Sequence, residues 1–460
     1  MSRFPVWFGS ALGSLLLLAV LQAPSALAAD VGGAAAPRVL SATAEQIFGQ
    51  AQSGLLQIRT LLKSAQKQSS IGSGFLVSAD GLAITNYHVV SQYALEPELY
   101  RLEFVGADGV KGKLRLHAID VINDLAVVRL ETPPAPPFKV FQFNPDAVEG
   151  KLVKGERLFS MGNPLDLGFT IVEGTYNGLV EKSYQAHVHF TGALNPGMSG
   201  GPTVSGDTRI VGVNVAHRVG SELVSFLVPA EAAFRLLEKA RADREMDAAE
   251  VRKDIGAQMS GWQADFFAAL KTQGFHQAEL GPYRVAESNA DWFSCWANTN
   301  RDRRRKLRAQ VSESSCDTHT QLFLAHDMSA GKVALSHSYL KSVDLNALQF
   351  ARQLIRAARS ETPGWGPRNR FTPDRCYEDF IGGDGAKGGD PARPALQVAW
   401  CARAYLDFPE LYDVWMVSVT QDHEQEALVS SVVLTGVHFD NAVAFTSDFR
   451  AALKVQRDLD

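Results

Sequence analysis

Between about Thr43 and Pro229 the chain alternates short runs of β-branched, aliphatic or aromatic residues with tight polar breaks. The runs are Leu55–Leu62, Gly74–Val77, Leu102–Val105, Leu125–Leu130, Val172–Tyr176, Val188–Thr191, Ile210–Val215 and Leu223–Val228. Between them fall Asp80-Gly81, Asp108-Gly109, Asn144-Pro145, Asn163-Pro164, Asn195-Pro196-Gly197 and Ser205-Gly206, residues that favour a turn over a continued strand. Many short strands with frequent turns predict β-barrels or a sandwich. After Pro229 the texture changes. Ala230–Ala242 and Met246–Gln273 are rich in Ala, Glu, Lys and Arg at helical spacing, which predicts one or two connecting helices. From about Gly274 a mixed α+β pattern begins.

That last region contains an internal likeness. Asp327–Phe350 lies over Asp422–Phe445 without a gap, at a spacing of 95 residues. Asp327/Asp422, Ser336/Ser431, Asn346/Asn441, Ala347/Ala442 and Phe350/Phe445 coincide, and Leu322-Phe323-Leu324 falls on Val417-Ser418-Val419. The reading is a tandem repeat over about 285–355 and 370–450. Gly382–Pro394 is a flexible loop by composition, and Arg301–Arg308 is read as a solvated basic loop.

The four cysteines, Cys295, Cys316, Cys376 and Cys401, all lie in this region. Three pairings are open to four cysteines. One local bridge per copy of the repeat favours Cys295–Cys316 and Cys376–Cys401. No Cys/His group has zinc-like spacing, so neither a metal nor another cofactor is expected.

Composition narrows the class. The chain has 460 residues, a net charge of −5, 46% apolar and 21% charged residues. That is too long for one ordinary core and too balanced for global disorder, and it lacks the basic field that nucleic acid would need. At the N-terminus, Arg3 precedes the apolar stretch Ala11–Leu21, Pro24, and the small residues of Ala26-Leu27-Ala28. This predicts a cleaved leader over 1–28, export to the periplasm with secretion as the alternative, and no membrane span after cleavage. An uncleaved anchor is the weaker reading. The expected order is a leader (1–28), a β-rich domain (43–240), a helical linker (241–273) and a disulfide-stapled α+β region (274–460).

Three segments of the β-rich domain carry candidate chemistry: Thr85-Asn86-Tyr87-His88-Val89-Val90, Asn123-Asp124-Leu125-Ala126-Val127-Val128, and Asn195-Pro196-Gly197-Met198-Ser199-Gly200-Gly201-Pro202. They present His, Asp and Ser in the chain order of the chymotrypsin-like double β-barrel. Ser199 would need a base to become a nucleophile, His88 titrates in the right range, and Asp124 would fix the imidazole tautomer. The glycines around Ser199 would aim the Gly197 and Ser199 amides at one point, as an oxyanion hole requires.

These segments resemble the HtrA/Deg branch of trypsin-like serine proteases, as do Gly162-Asn163-Pro164 and Phe226-Leu227-Val228-Pro229. The resemblance covers roughly Thr43 to Phe234. It implies a double-barrel endopeptidase acting on exposed or misfolded polypeptide at the cell envelope. By the same analogy Ala193, Leu194, Ser225 and Phe226 would line the specificity pocket. No acid stands among them, so aliphatic side chains suit the pocket better than Lys or Arg. Met198 and Gly192 depart from the family pattern, and nothing after residue 240 resembles a PDZ domain, so cage assembly is not carried over. His187 and His189 share a strand face without a third ligand. The expected function is an exported serine endopeptidase with polypeptide substrates and an open oligomeric state. The alternatives are an inert protease-fold scaffold and a narrowly specific processing protease. The C-terminal region is expected to govern substrate encounter rather than chemistry.

Overall fold

The computed structural model describes residues 42–132, 137–217, 225–242, 245–300, 308–360, 368–382, 395–421 and 424–455. The expected leader, residues 301–307 of the basic loop and 383–394 of the glycine-rich loop lie outside the described residues. α1 (Ala42–Ala51) leads into β1 (Leu55–Leu62), β2 (Lys67–Leu76) and β3 (Leu82–Thr85). α2 (Tyr87–Leu95), β4 (Tyr100–Gly106), β5 (Lys111–Asp120) and β6 (Leu125–Leu130) follow. These strands close a barrel in the order β1-β2-β3-β6-β5-β4.

A second barrel follows α3 (Pro145–Val148). It is built from β7 (Arg157–Gly162), β8 (Thr170–Leu179), β9 (Val188–Phe190), β10 (Pro202–Val204), β11 (Ile210–His217) and β12 (Ser225–Pro229). Their order is β10-β11-β12-β9-β8-β7, also closed. The strand pattern predicted barrels or a sandwich, and the double barrel implied by the family resemblance is the fold of this region. Four of its strands were not anticipated. β3, β7 and β10 are buried almost throughout and so show no alternation, and the exposed face of β5 is occupied by Lys111, Lys113 and Arg115.

α4 (Ala230–Ala242) closes the barrels and α5 (Ala248–Gln273) leaves them. A capping box formed by Asp247 and Glu250 starts α5. Its buried stripe, Val251, Ile255, Met259, Trp262, Phe266 and Leu270, recurs every three or four residues. That stripe belongs to one core cluster with Val90 and Leu95 of α2 and with Leu322, Leu324 and Val437 of the C-terminal region. Polar bonds repeat the arrangement. The Gln258 side chain accepts from the Val121 amide and donates to the Ile119 carbonyl, and Gln263 donates to the Gly436 carbonyl and accepts from the His438 amide. The segment read as a connecting linker contains a helix whose one buried face packs against both the first barrel and the C-terminal region.

The rest comprises β13 (Phe275–Leu280), β14 (Tyr283–Ser288), β15 (Ser294–Thr299), β16 (Ala309–Asp317), β17 (Leu322–Ala325), β18 (Met328–Ala330), β19 (Val333–Ser342) and α6 (Ala347–Ser360). Then come β20 (Arg375–Ile381), β21 (Leu396–Ala404), β22 (Leu411–Thr420), β23 (Glu426–His438), α7 (Phe439–Ala452) and β24 (Lys454–Val455). A seven-stranded sheet runs β15-β16-β19-β23-β22-β21-β20, and β13, β14 and β24 form a smaller one. β19 and β23 pair antiparallel with Ser336 opposite Ser431, the residues that the 95-residue spacing superposes, so a local two-fold axis passes between them. Disulfides Cys295–Cys316 and Cys376–Cys401 tie β15 to β16 and β20 to β21 at the two flanks. The flanks differ in one respect. β22 lies between β21 and β23, whereas β16 pairs β19 directly and β17 pairs only with β18, in a hairpin outside the sheet.

Candidate active site

His88 is the second residue of α2, and Asp124 stands at the start of β6 after the tight segment 120–124. Asn86 occupies the N-cap position of α2 without a side-chain capping bond. The first-turn amides are satisfied from Asp124 instead: Tyr87 N–H donates to its carbonyl (3.1 Å) and His88 N–H to its Oδ1 (2.8 Å). The Asn86 side chain also donates to that carbonyl, at 2.7 Å. Asp124 has φ 53°, a left-handed conformation unusual for a residue with a side chain. It lets the carbonyl and carboxylate face the same helix. The remaining carboxylate oxygen, Oδ2, meets His88 Nδ1 at 2.6 Å. Burial opposes charge on the imidazole, but the Asp124 charge and hydrogen bond outweigh it, and the His88 pKa is raised above its usual value.

Ser199 sits on the turn before β10. Every carbonyl from Asn195 to Ser199 is occupied by the protein. Asn195 O accepts from Met198 N–H, Pro196 O from Leu165 N–H, and Gly197 O from the Ser73 hydroxyl. Met198 O accepts from Gly201 N–H and the Asn214 side chain, and Ser199 O from Ser73 N–H. A carbonyl and the next amide share one plane and point oppositely. With Pro196 O and Met198 O bonded to the protein, the Gly197 and Ser199 amides point away from those contacts, and among the described residues neither donates to a protein acceptor. Gly197 has φ 94°, and a Cβ there would lie 2.5 Å from the Asn163 carbonyl, so the turn requires glycine.

The first barrel approaches this turn through Gly72. A Cβ there would come within 2.5 Å of Val89 Cγ2 and 3.0 Å of Ser199 O, so the residue after His88 and the Ser199 backbone close on the same spot. His88 keeps 26% of its side chain exposed and Ser199 is half-buried. The Ser199 hydroxyl donates to Val215 O at 3.2 Å.

The anticipated pocket residues divide. Leu194 is buried in the second-barrel core with Met198, Phe190 and Leu227, and its amide donates to the buried Ser225 hydroxyl at 3.1 Å. Ala193 is exposed and Phe226 half-buried, 6.1 Å from the His187 ring, and residues 218–224 lie outside the described residues. Met198 anchors the turn by an apolar side chain in that core. His187 precedes β9; burial lowers its pKa against the opposing charge of Asp124.

Two contacts had not been anticipated. The Tyr87 hydroxyl donates to Leu324 O of β17 at 2.8 Å, and the Phe323 ring lies 5.4 Å from the His88 ring. The Leu322-Phe323-Leu324 alternation was visible, but nothing local connects it with a histidine 235 positions earlier. Ser73, Asn163 and Asn214, which hold the Ser199 turn from beneath, are buried polar residues scattered across three strands and loops.

Residues 72–213 match the family described as the trypsin-like peptidase domain. The chain is similar to two proteins named "Probable periplasmic serine endoprotease DegP-like". That of Chlamydia muridarum is 29% identical over 49% of this chain and 44% of its own length. That of a Marinomonas species is 28% identical over 40% of this chain and 38% of its own. The chain thus matches less than half the length of these relatives. Among solved structures, Deg5 is 25% identical and aligns with 42% of this chain and 91% of its own, at a TM-score of 0.35. No helix among the described residues is long and apolar enough to cross a membrane.

Proposed function

We propose that the trypsin-like peptidase domain is an active serine endopeptidase, exported to the periplasm and acting on exposed segments of envelope polypeptides. The observation that carries this reading is the double engagement of His88 by Asp124, through the ring at 2.6 Å and the amide at 2.8 Å, beside a serine turn with outward amides. The inert alternative would have no use for an imidazole held in one tautomer. Export rests on the N-terminal apolar run, the two disulfides and the periplasmic naming of the relatives.

In this mechanism Ser199 turns its hydroxyl from Val215 O toward His88 Nε2 as substrate enters, since resting contacts tighten only in the complex. Oγ attacks the scissile carbonyl carbon while its proton passes to His88. The carbonyl oxygen becomes an oxyanion held by the Gly197 and Ser199 amides, each worth roughly 3–4 kcal/mol. His88 then gives the proton to the leaving nitrogen as the C–N bond breaks. Water, deprotonated by the same imidazole, releases the acyl group, and Asp124 stabilises the imidazolium in both halves.

The test is a fluorophosphonate probe together with a protein substrate. The wild type labels and hydrolyses. Ser199→Ala remains folded, does not label, and loses on the order of 10⁴-fold or more of turnover. Undiminished hydrolysis by the purified variant would falsify the assignment of the nucleophile.

A further inference from the structure

One wall of the cleft beside His88 belongs to neither barrel. In β17, Leu322 and Leu324 are buried in the core that α2, α5 and the C-terminal sheet share, so period two sends Phe323 the other way. Its half-buried ring stands 5.4 Å from the His88 imidazole at an interplanar angle of 46°. The hairpin is held on both strands. Leu324 O accepts from Tyr87, and Ser329 O, on the residue opposite Phe323, lies 2.9 Å from the Tyr405 hydroxyl. Tyr405 in turn lies 2.7 Å from Asp413, which Arg403 binds through two nitrogens at 3.0 and 2.7 Å. At the hairpin tip, Arg370 lies 3.6 Å from Asp327 and reaches Glu96, just past the end of α2, at 3.0 Å. The ring is therefore fixed relative to the histidine. His88 and Ser199 both retain exposure, so Phe323 stands beside the catalytic groups as a wall and does not cover them.

A histidine that serves both the attacking oxygen and the leaving nitrogen must stand alongside the scissile bond, between the substrate residues that flank it. A ring packed against that imidazole faces the side chain of one of them. We infer that Phe323 is a substrate-contacting specificity residue, the apolar side of a subsite next to His88 that favours a large apolar side chain adjoining the acyl-side residue of the substrate. This deepens the endopeptidase reading and rests on it.

The experiment compares full-length wild type, Phe323→Ala and Phe323→Leu on a peptide series varied at each position around the cleaved bond. Fluorophosphonate labelling is measured in parallel. Phe323→Ala should lose about tenfold in kcat/KM for Leu or Phe at one flanking position and change little for Gly there, the usual worth of one apolar contact. Phe323→Leu should retain part of the preference, and the labelling rate should stay within about twofold of wild type, by the same reasoning. An equal loss on every peptide makes the ring structural support only, and an equal rise makes it a lid; either overturns the inference. If the wild type itself fails to label, the endopeptidase reading fails and takes this one with it. Normal labelling with unchanged selectivity in both variants sinks this one alone.

Discussion

Asp124 holds the start of α2, His88 included, through four bonds at once. Its carboxylate takes the His88 ring and amide, and its carbonyl takes the Tyr87 amide and the Asn86 side chain. The left-handed backbone that permits this costs of order 1–3 kcal/mol, which the surrounding bonds must offset. Asp124→Asn preserves the shape but presents a donor where the ring donates, favouring the wrong tautomer. Turnover near pH 7 should fall by roughly 10⁴. The pH profile carries a second sign. A raised His88 pKa means the free base is lost as pH falls through that raised value, so the acid limb of kcat/KM lies above the ordinary histidine range. Without the aspartate charge the limb should move to lower pH. A limb that stays in place would show that another group sets the His88 pKa. His88, Asp124 and Ser199 could be proposed from the sequence because each sits inside a short box, and the structure joins His88 to Asp124. The Phe323 contact could not, because it arises only where β17 meets α2.

Elements were legible where an apolar run was long or rich in β-branched residues, not where it alternated. β1 and β6 occupy the expected runs although both are buried almost throughout, whereas β3 and β10 are only four and three residues long and β7 mixes Arg, Ser and Gly with its apolar residues. The same sheet that brings the cysteines face to face also buries His337 of β19. Its Nδ1 meets the Ser430 hydroxyl at 2.8 Å, its Nε2 the Ala286 carbonyl at 3.0 Å, and its ring stacks on Phe449. A carbonyl can only accept, so Nε2 carries a proton, and in the neutral ring Nδ1 accepts from the Ser430 hydroxyl. Burial lowers its pKa to about 4, although Glu287 pulls the other way. The unfolded chain binds this proton near pH 6.5 and the folded chain only near 4, so stability is full above 6.5 and declines as pH falls between those values. The loss should reach about 3 kcal/mol. Urea denaturation at pH 7.5 and 4.5 should show a larger acid loss in wild type than in His337→Asn. The comparison cancels His88, whose raised pKa acts in the opposite sense. Equal losses in the two proteins would remove His337 as the cause.

At the scale of the molecule, sequence texture suggested separable pieces, and packing joins them. Composition changes at Pro229 and again near Gly274, yet the apolar stripe of α5 faces both ways and one core runs from α2 through α5 to β23. Texture records local preference; whether two elements share a core depends on surfaces hundreds of residues apart. Truncation after Ala242 should therefore give an aggregating product, because Val90, Leu95 and their neighbours lose their cover. Heating the whole chain should give one transition for barrels and sheet together. A soluble truncated domain with native-like near-ultraviolet dichroism would contradict both expectations. The shared core also sets an order in time. The ribosome delivers α2 long before the hairpin that packs on it, with Leu95 and Leu324 separated by 229 residues. At about 5–20 residues per second the gap is roughly 10–50 s. Once Ser199 has been added, 125 residues more are needed before Leu324 is in place, so for that part of the gap the chain holds all three candidate side chains without the hairpin that steadies α2. Vectorial synthesis thus builds a delay between writing the candidate triad and completing its setting.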